Sequence, residues 1–79
     1  MTNIEKYKKC FIEVFELSDE DGIEALEFQS IKMWDSIGHV RLMTLLEENF
    51  DIMIDTYDIV DFASYAKGIE ILKKYDVEI

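Results

Sequence analysis

The sequence predicts an all-α protein, a small four-helix bundle with a long loop between its first and second helices and a short third helix. Three observations predict it. Apolar residues recur at three- and four-residue spacing in the segments from Thr2, Ser36 and Ser64. Polar residues suited to capping a helix stand at the start of each. The one stretch that alternates like a strand, Asp51 to Ile54, has no second strand to pair with and cannot make a sheet.

Taken in order, Thr2-Asn3-Ile4-Glu5 matches a capping box. Ile4, Tyr7, Phe11, Ile12, Val14 and Phe15 follow at helical spacing, so the first helix is expected over Thr2 to about Leu17. The run Asp19-Glu20-Asp21-Gly22 is expected to stop it. From Ser18 to Asp35 there are eighteen residues without a sustained period, long for a structureless loop in a compact domain. This loop carries Ile23, Leu26, Phe28, Ile31, Met33 and Trp34. It should therefore fold back over the core, with one short helical turn near Ile23 to Phe28.

The second helix is expected over Ser36 to Phe50, with Leu42, Met43, Leu46 and Phe50 on one stripe. Ile37, Arg41, Thr44 and Glu48 fall on the opposite side, which leaves Ile37 as an apolar residue on a polar face. Asp55 or Thr56 can cap a brief third helix through Phe62. Ser64 can cap a fourth running to about Tyr75, with Ile69 and Leu72 inward. The expected core comprises Leu42, Met43, Leu46, Phe50, Ile54, Ile59, Phe62, Ile69 and Leu72.

Composition bounds the function. At 79 residues, 49% of them hydrophobic, the chain is expected to be one domain with apolar surface enough to close a core. The absence of a window of roughly 20 apolar residues predicts no membrane insertion. The formal charge of -10 disfavours nucleic acid and anionic membranes and favours partners with basic docking surfaces. A lone Cys10, with no Cys or His at metal spacing, gives neither a disulfide nor a zinc site and fits a reducing cytoplasm.

Most candidate chemistry fails on its parts. Ser36 and His39 share a helix face, but no G-x-S-x-G elbow and no third group accompany them, so His39 is expected to be an ordinary half-exposed residue and no catalytic residue is assigned. Counting back from Gly22 puts Leu17 at the first position of a calcium loop, where an acidic ligand is required, so no metal site is assigned. Cys10, within the first helix, reads as a small packing residue. Asp35-Ser36 remains. One of the two caps the second helix, and the same helix N-terminus, with its free N-H groups and positive dipole end, favours a phosphate carried on a residue placed there.

The stretch from Asp35 to Ile54, DSIGHVRLMTLLEENFDIMI, resembles the acyl carrier proteins, whose hallmark is Asp-Ser-Leu at the start of the second helix, then a hydrophobic stripe, a Glu-Glu pair and a Phe. Here Ile37 takes the place of the usual Leu, and Val40, Leu42, Glu47, Glu48, Phe50 and Ile54 complete the pattern. Over the rest of the chain the resemblance lies in helix order, the long loop, small size and acidity. Trp34 before the pair is more similar to specialised, stand-alone carriers than to the general fatty-acid one. Arg41 departs from the family, standing where many members carry an acid.

The resemblance implies a monomeric carrier, not an enzyme, with 4'-phosphopantetheine attached to Ser36 from coenzyme A by a phosphopantetheinyl transferase that contacts Asp35. It implies that Ile37, Arg41, Thr44, Glu47 and Glu48 lie on or beside the face that meets acyl-loading and acyl-processing enzymes of fatty-acid, polyketide or related biosynthesis. It implies further that Leu46, Phe50, Ile54, Ile59 and Phe62 could admit an acyl chain, although they are first of all core. The alternative is a carrier-like interaction module that has lost the arm.

The charge alone generates a prediction. Added salt or divalent cations should raise the thermal midpoint by screening self-repulsion. A midpoint that does not move with salt would mean that repulsion does not limit stability.

Overall fold

The computed structural model describes residues 1–20 and 22–79. It is an all-α bundle of four helices: α1 (Asn3–Phe15), α2 (Ser36–Phe50), α3 (Thr56–Asp61) and α4 (Tyr65–Lys74). A single 3₁₀ turn, Ile23–Ala25, interrupts the long α1–α2 connection. The described residues form no strand, only an isolated antiparallel bridge between Glu27 and Ser64.

Each helix starts where a side chain can take over an unpaired backbone donor. Thr2 and Glu5 form the reciprocal capping box: the Thr2 hydroxyl accepts from Glu5 N-H at 3.2 Å, and the Glu5 carboxylate accepts from Thr2 N-H at 3.0 Å. Of the two caps open for α3, Asp55 is the one used, accepting from Tyr57 N-H at 2.8 Å. Ser64 caps α4 through Lys67 N-H at 3.0 Å.

Three helices stop in one way. Glu16, Asp51 and Asp76 adopt left-handed backbone angles, with φ of 53°, 53° and 64°. The next residue then returns its N-H to a carbonyl five positions back: Leu17 to Ile12, Ile52 to Glu47 and Val77 to Leu72. This is the Schellman closure, with the aliphatic residue after the turn folded onto the core. It ends α1 at Phe15, two residues before the expected Leu17 and upstream of the acidic run expected to stop it. Asp21 of that run lies outside the described residues.

The core is unusually aromatic. Tyr7, Phe11 and Phe15, four residues apart on α1, present one continuous row of rings, and none is more than 2% exposed. Trp34 stacks on Phe15 with centroids 5.1 Å apart and meets Phe11 edge-on at 5.5 Å. Tyr65 packs on Tyr7 at 4.8 Å and on Phe11 at 5.2 Å. The buried Tyr7 hydroxyl donates to the Tyr65 carbonyl at 2.6 Å, so the ring that fills the centre also ties α1 to the start of α4.

The long connection is stitched down. Phe28 N-H donates to the Ala63 carbonyl and Tyr65 N-H to the Leu26 carbonyl, both at 2.9 Å. The helical turn expected over Ile23 to Phe28 therefore stops at Ala25, because Leu26 is extended and its carbonyl, with the Phe28 N-H, pairs with the entrance of α4. Several expected core positions shift likewise. Phe50, Ile59 and Ile69 are half-buried against the core, whereas Ile71, which was not expected inward, is 1% exposed beside Leu72.

Two glycines are fixed by close approach. A Cβ on Gly38 would meet the Met33 carbonyl, and one on Gly68 would meet the Tyr7 hydroxyl and the Phe62 ring. In a free helix Gly→Ala stabilises by up to about 1 kcal/mol. Here overpacking of roughly 1–3 kcal/mol opposes that gain. Gly68→Ala, whose obstacles are core side chains on two elements, should lower the denaturation midpoint in urea. An unchanged or higher midpoint would show that the core accommodates the methyl.

Candidate functional site

At the start of α2 the two residues of the Asp-Ser pair divide the work. Asp35 is extended, with φ of -102° and ψ of -170°, and its carboxylate accepts from Gly38 N-H at 2.8 Å. Its carbonyl takes the first helical bond, from His39 N-H at 2.8 Å. Asp35 is therefore the cap. Ser36 is the first helical residue, exposed, and among the described residues its hydroxyl has no hydrogen-bond partner.

The residue before the pair fixes where it stands. Trp34 is fully buried, and its indole N-H donates to His39 Nδ1 at 2.9 Å. Because an indole nitrogen can only donate, Nδ1 must accept, and the proton of the neutral imidazole is on Nε2. That proton is donated to the Ile59 carbonyl of α3 at 2.7 Å. His39 is 8% exposed, among the rings of Phe28, Trp34 and Phe62. The expectation of a half-exposed residue is thus corrected. The signal was present, since His39 stands three, four and seven residues before Leu42, Met43 and Leu46 on the buried face. No hydrogen bond joins His39 to Ser36; both ring nitrogens are committed elsewhere.

The residues assigned to a partner face are only partly brought together. Arg41, Thr44 and Glu48 line a groove of about 450 Å³ between α1 and α2, with Glu13, Val14, Val40 and Leu45 as its other walls. Ile37 lies outside that groove, 72% exposed, one turn nearer the N-terminus of α2. Glu47 turns to its own chain, its carboxylate accepting from Ile54 N-H at 2.8 Å and closing the α2–α3 link. Val40, Met53, Tyr57 and Val60, which sequence reasoning passed over as surface, are each more than half exposed.

The five residues suggested as an acyl pocket do not line one cavity. Ile59 and Phe62 line a cleft of about 260 Å³ with Phe28, His39, Val60 and Ala63. Phe50 borders a different groove, beneath the Lys6 ammonium, which stands 5.8 Å from its ring centre. Leu46 and Ile54 are packed into the core. Among the described residues no group of His, Cys, Asp or Glu is placed to hold a metal ion. Burial pushes the Cys10 thiol up to about 11, with a smaller contribution from Glu13, so it stays protonated at neutral pH. No helix of the described residues is long and apolar enough to cross a membrane.

One polar cluster had no signal in the sequence. Asp58, 8% exposed, receives the Lys74 ammonium at 2.5 Å and the Tyr75 hydroxyl at 2.6 Å. That hydroxyl in turn accepts from Asp55 N-H at 2.8 Å. The cluster pins α3 to the end of α4. No family model, curated protein or solved structure matches this chain.

Acid should undo the cluster. The Lys74 ammonium, then the Tyr75 hydroxyl, hold the Asp58 carboxyl below the ordinary carboxylate range. A carboxyl depressed in the folded state stabilises fully above its unfolded value, about 3.9, and that contribution is lost as pH falls through the folded value. Asp58→Asn should be less stable than wild type at neutral pH, and the difference should shrink in that acid window. A difference that stays constant with pH would assign the effect to packing.

Proposed function

We propose that this chain is a carrier protein, not itself an enzyme, that holds acyl or aminoacyl groups as thioesters on a 4'-phosphopantetheine arm attached to Ser36. The observation that carries the reading is the division of labour at the start of α2. A serine that also capped its helix would have its hydroxyl engaged; here Asp35 provides the cap, and the Ser36 hydroxyl is exposed with no hydrogen-bond partner among the described residues. With Gly38 N-H bonded to the Asp35 carboxylate and His39 N-H to its carbonyl, the Ser36 and Ile37 N-H groups remain at the positive end of a fifteen-residue helix. Such groups favour a phosphodiester on the adjoining oxygen. The arm, when bound, supplies the terminal thiol that carries the cargo.

The chain's own residues supply position and docking. Trp34, through its bond to His39, and Gly38, against the Met33 carbonyl, hold the start of α2 to the loop beside the exposed Ser36. Ile37 and Val40, 72% and 61% exposed, offer apolar contact beside it. The formal charge of -10 favours loading and processing enzymes with basic patches, met quickly and released readily as a carrier requires. Arg41 weakens the acidic stripe of α2 and so bears on partner choice.

Incubation with coenzyme A and a promiscuous phosphopantetheinyl transferase should add one phosphopantetheine by intact mass. Ser36→Ala should abolish the addition while changing stability by less than about 0.5 kcal/mol, because no partner of that hydroxyl is lost. Asp35→Ala should cost about 1 kcal/mol through the cap. No addition with several transferases would overturn the proposal. An unmodified Ser36 in protein from its native source, in a stable stoichiometric complex, would favour the interaction module without an arm.

A further inference from the structure

We propose that the groove between α1 and α2 is a docking site for an amphipathic helix of a partner protein, one that brings a carboxylate to each end of the groove and a basic side chain to its middle. The inference stands whether or not Ser36 carries an arm. The groove of about 450 Å³ that holds Val14, Val40 and Arg41 shares Glu13 and Leu45 with a second one, of about 280 Å³, lined in addition by Lys6, Lys9 and Cys10. The two therefore adjoin along the α1–α2 seam, running on α2 from Val40 to Asn49. At 1.5 Å per residue that is about 14 Å, the length of two to three turns of an incoming helix. The floor is apolar: Cys10 and Val14 are buried, Leu45 is half-buried and Val40 is 61% exposed. Aliphatic residues at three- and four-residue spacing on the incoming helix would fill it.

The charges select which helix. Over the whole chain acids outnumber bases eighteen to eight, but along this groove three cations, Lys6, Lys9 and Arg41, meet two acids, Glu13 and Glu48. Among the described residues none of the five takes part in an ion pair; the pairs are Lys67 with Asp61 and Lys74 with Asp58. Lys6 rests over the Phe50 ring, a contact that leaves its charge without a carboxylate. Arg41 stands at the end of the groove nearer Ser36, Lys6 and Lys9 toward the other, and Glu13, common to both parts, between them. The order of sign is plus, minus, plus, and a guest that satisfies it reads minus, plus, minus. That order is the same from either end, so it holds for both directions of the guest helix. A second copy of this chain is the poorer guest, because two molecules of formal charge -10 repel. Nucleic acid and anionic lipid are turned away for the same reason.

The test is an NMR titration of the labelled full chain, at low ionic strength, with two helical peptides of the same composition and zero net charge. Both carry an aliphatic stripe. One flanks it in the order acid, base, acid and the other in the order base, acid, base, with the compensating charges on the far face. The first should shift the amides of residues 9–14 and 40–48 and bind about fivefold or more tightly than the second. Arg41→Glu should abolish that preference and Arg41→Lys should keep it. The position is exposed and no ion pair is lost there, so both variants should keep the wild-type spectrum elsewhere. Added salt should shrink the preference. Equal affinity of the two peptides overturns the proposal, as do shifts confined to other faces, no binding of either peptide at up to about 1 mM, or a preference that Arg41→Glu leaves unchanged. Shifts of the same amides on diluting the protein alone would give the groove to a second copy and overturn it as well.

Discussion

A fully buried indole must find an acceptor for its N-H, and most of what surrounds the start of α2 follows from how Trp34 meets that requirement. Left unpaired in an apolar core, the donor would cost about 1–3 kcal/mol. His39 accepts it, and in doing so the imidazole loses its choice of tautomer: its remaining proton lies on Nε2 and is given to the Ile59 carbonyl. One buried donor thus sets a chain of hydrogen bonds from the loop, through α2, to α3. The Asp-Ser pair stands between the two residues that begin this chain. Its position is fixed from beneath by aromatic packing, while the Asp35 carboxylate caps α2 and the Ser36 side chain is exposed.

The two ends of the bundle are held by different physics. Where α1 meets Trp34, Phe62 and Tyr65, rings interlock with centroid separations of 4.8–6.5 Å, and burial of large apolar surface dominates. Where α3 meets the rest, a carboxylate, an ammonium, a phenol and an imidazole supply the contacts. The first kind of contact is insensitive to pH and tolerates little movement. The second is directional.

The architecture was legible because its signals are local. The Thr2 box, the Ser64 cap and the three- and four-residue spacing of Leu42, Met43 and Leu46 each depend on neighbours within one or two turns, and each gave an element within a few residues of its place. Legibility failed where a residue's environment is made by distant chain. Asp58 is buried because Lys74 and Tyr75, sixteen and seventeen residues away, come to it. Leu26 leaves the helical turn for extended backbone, and Ala63 and Tyr65 supply the partners of Phe28 and Leu26. Gly38, which from sequence is a weak helix residue in the first turn, is there because the Met33 carbonyl leaves no room for a side chain. At the site, the placement of Ser36 on α2 could be read directly, whereas its freedom from capping could not, since either member of the pair suits that task. Of the suggested acyl-pocket residues, Ile59 and Phe62 share a cleft, while Leu46 and Ile54 are packed into the core.

The three helix ends that close on Glu16, Asp51 and Asp76 place an acid where glycine would sit without strain. A left-handed non-glycine residue costs about 1 kcal/mol or more, and a carboxylate at the negative end of the helix dipole adds about 0.3–1 kcal/mol of repulsion when exposed. The excess negative charge of this molecule is therefore not spread evenly in its effect. It bears on α1, α2 and α4 at their last turns, so counter-ions gathering there would relieve both the overall repulsion and the local opposition of each carboxylate to its own helix. Ionic strength becomes a control on fraying at three defined points, and the part of α2 that it reaches is the end farthest from Ser36.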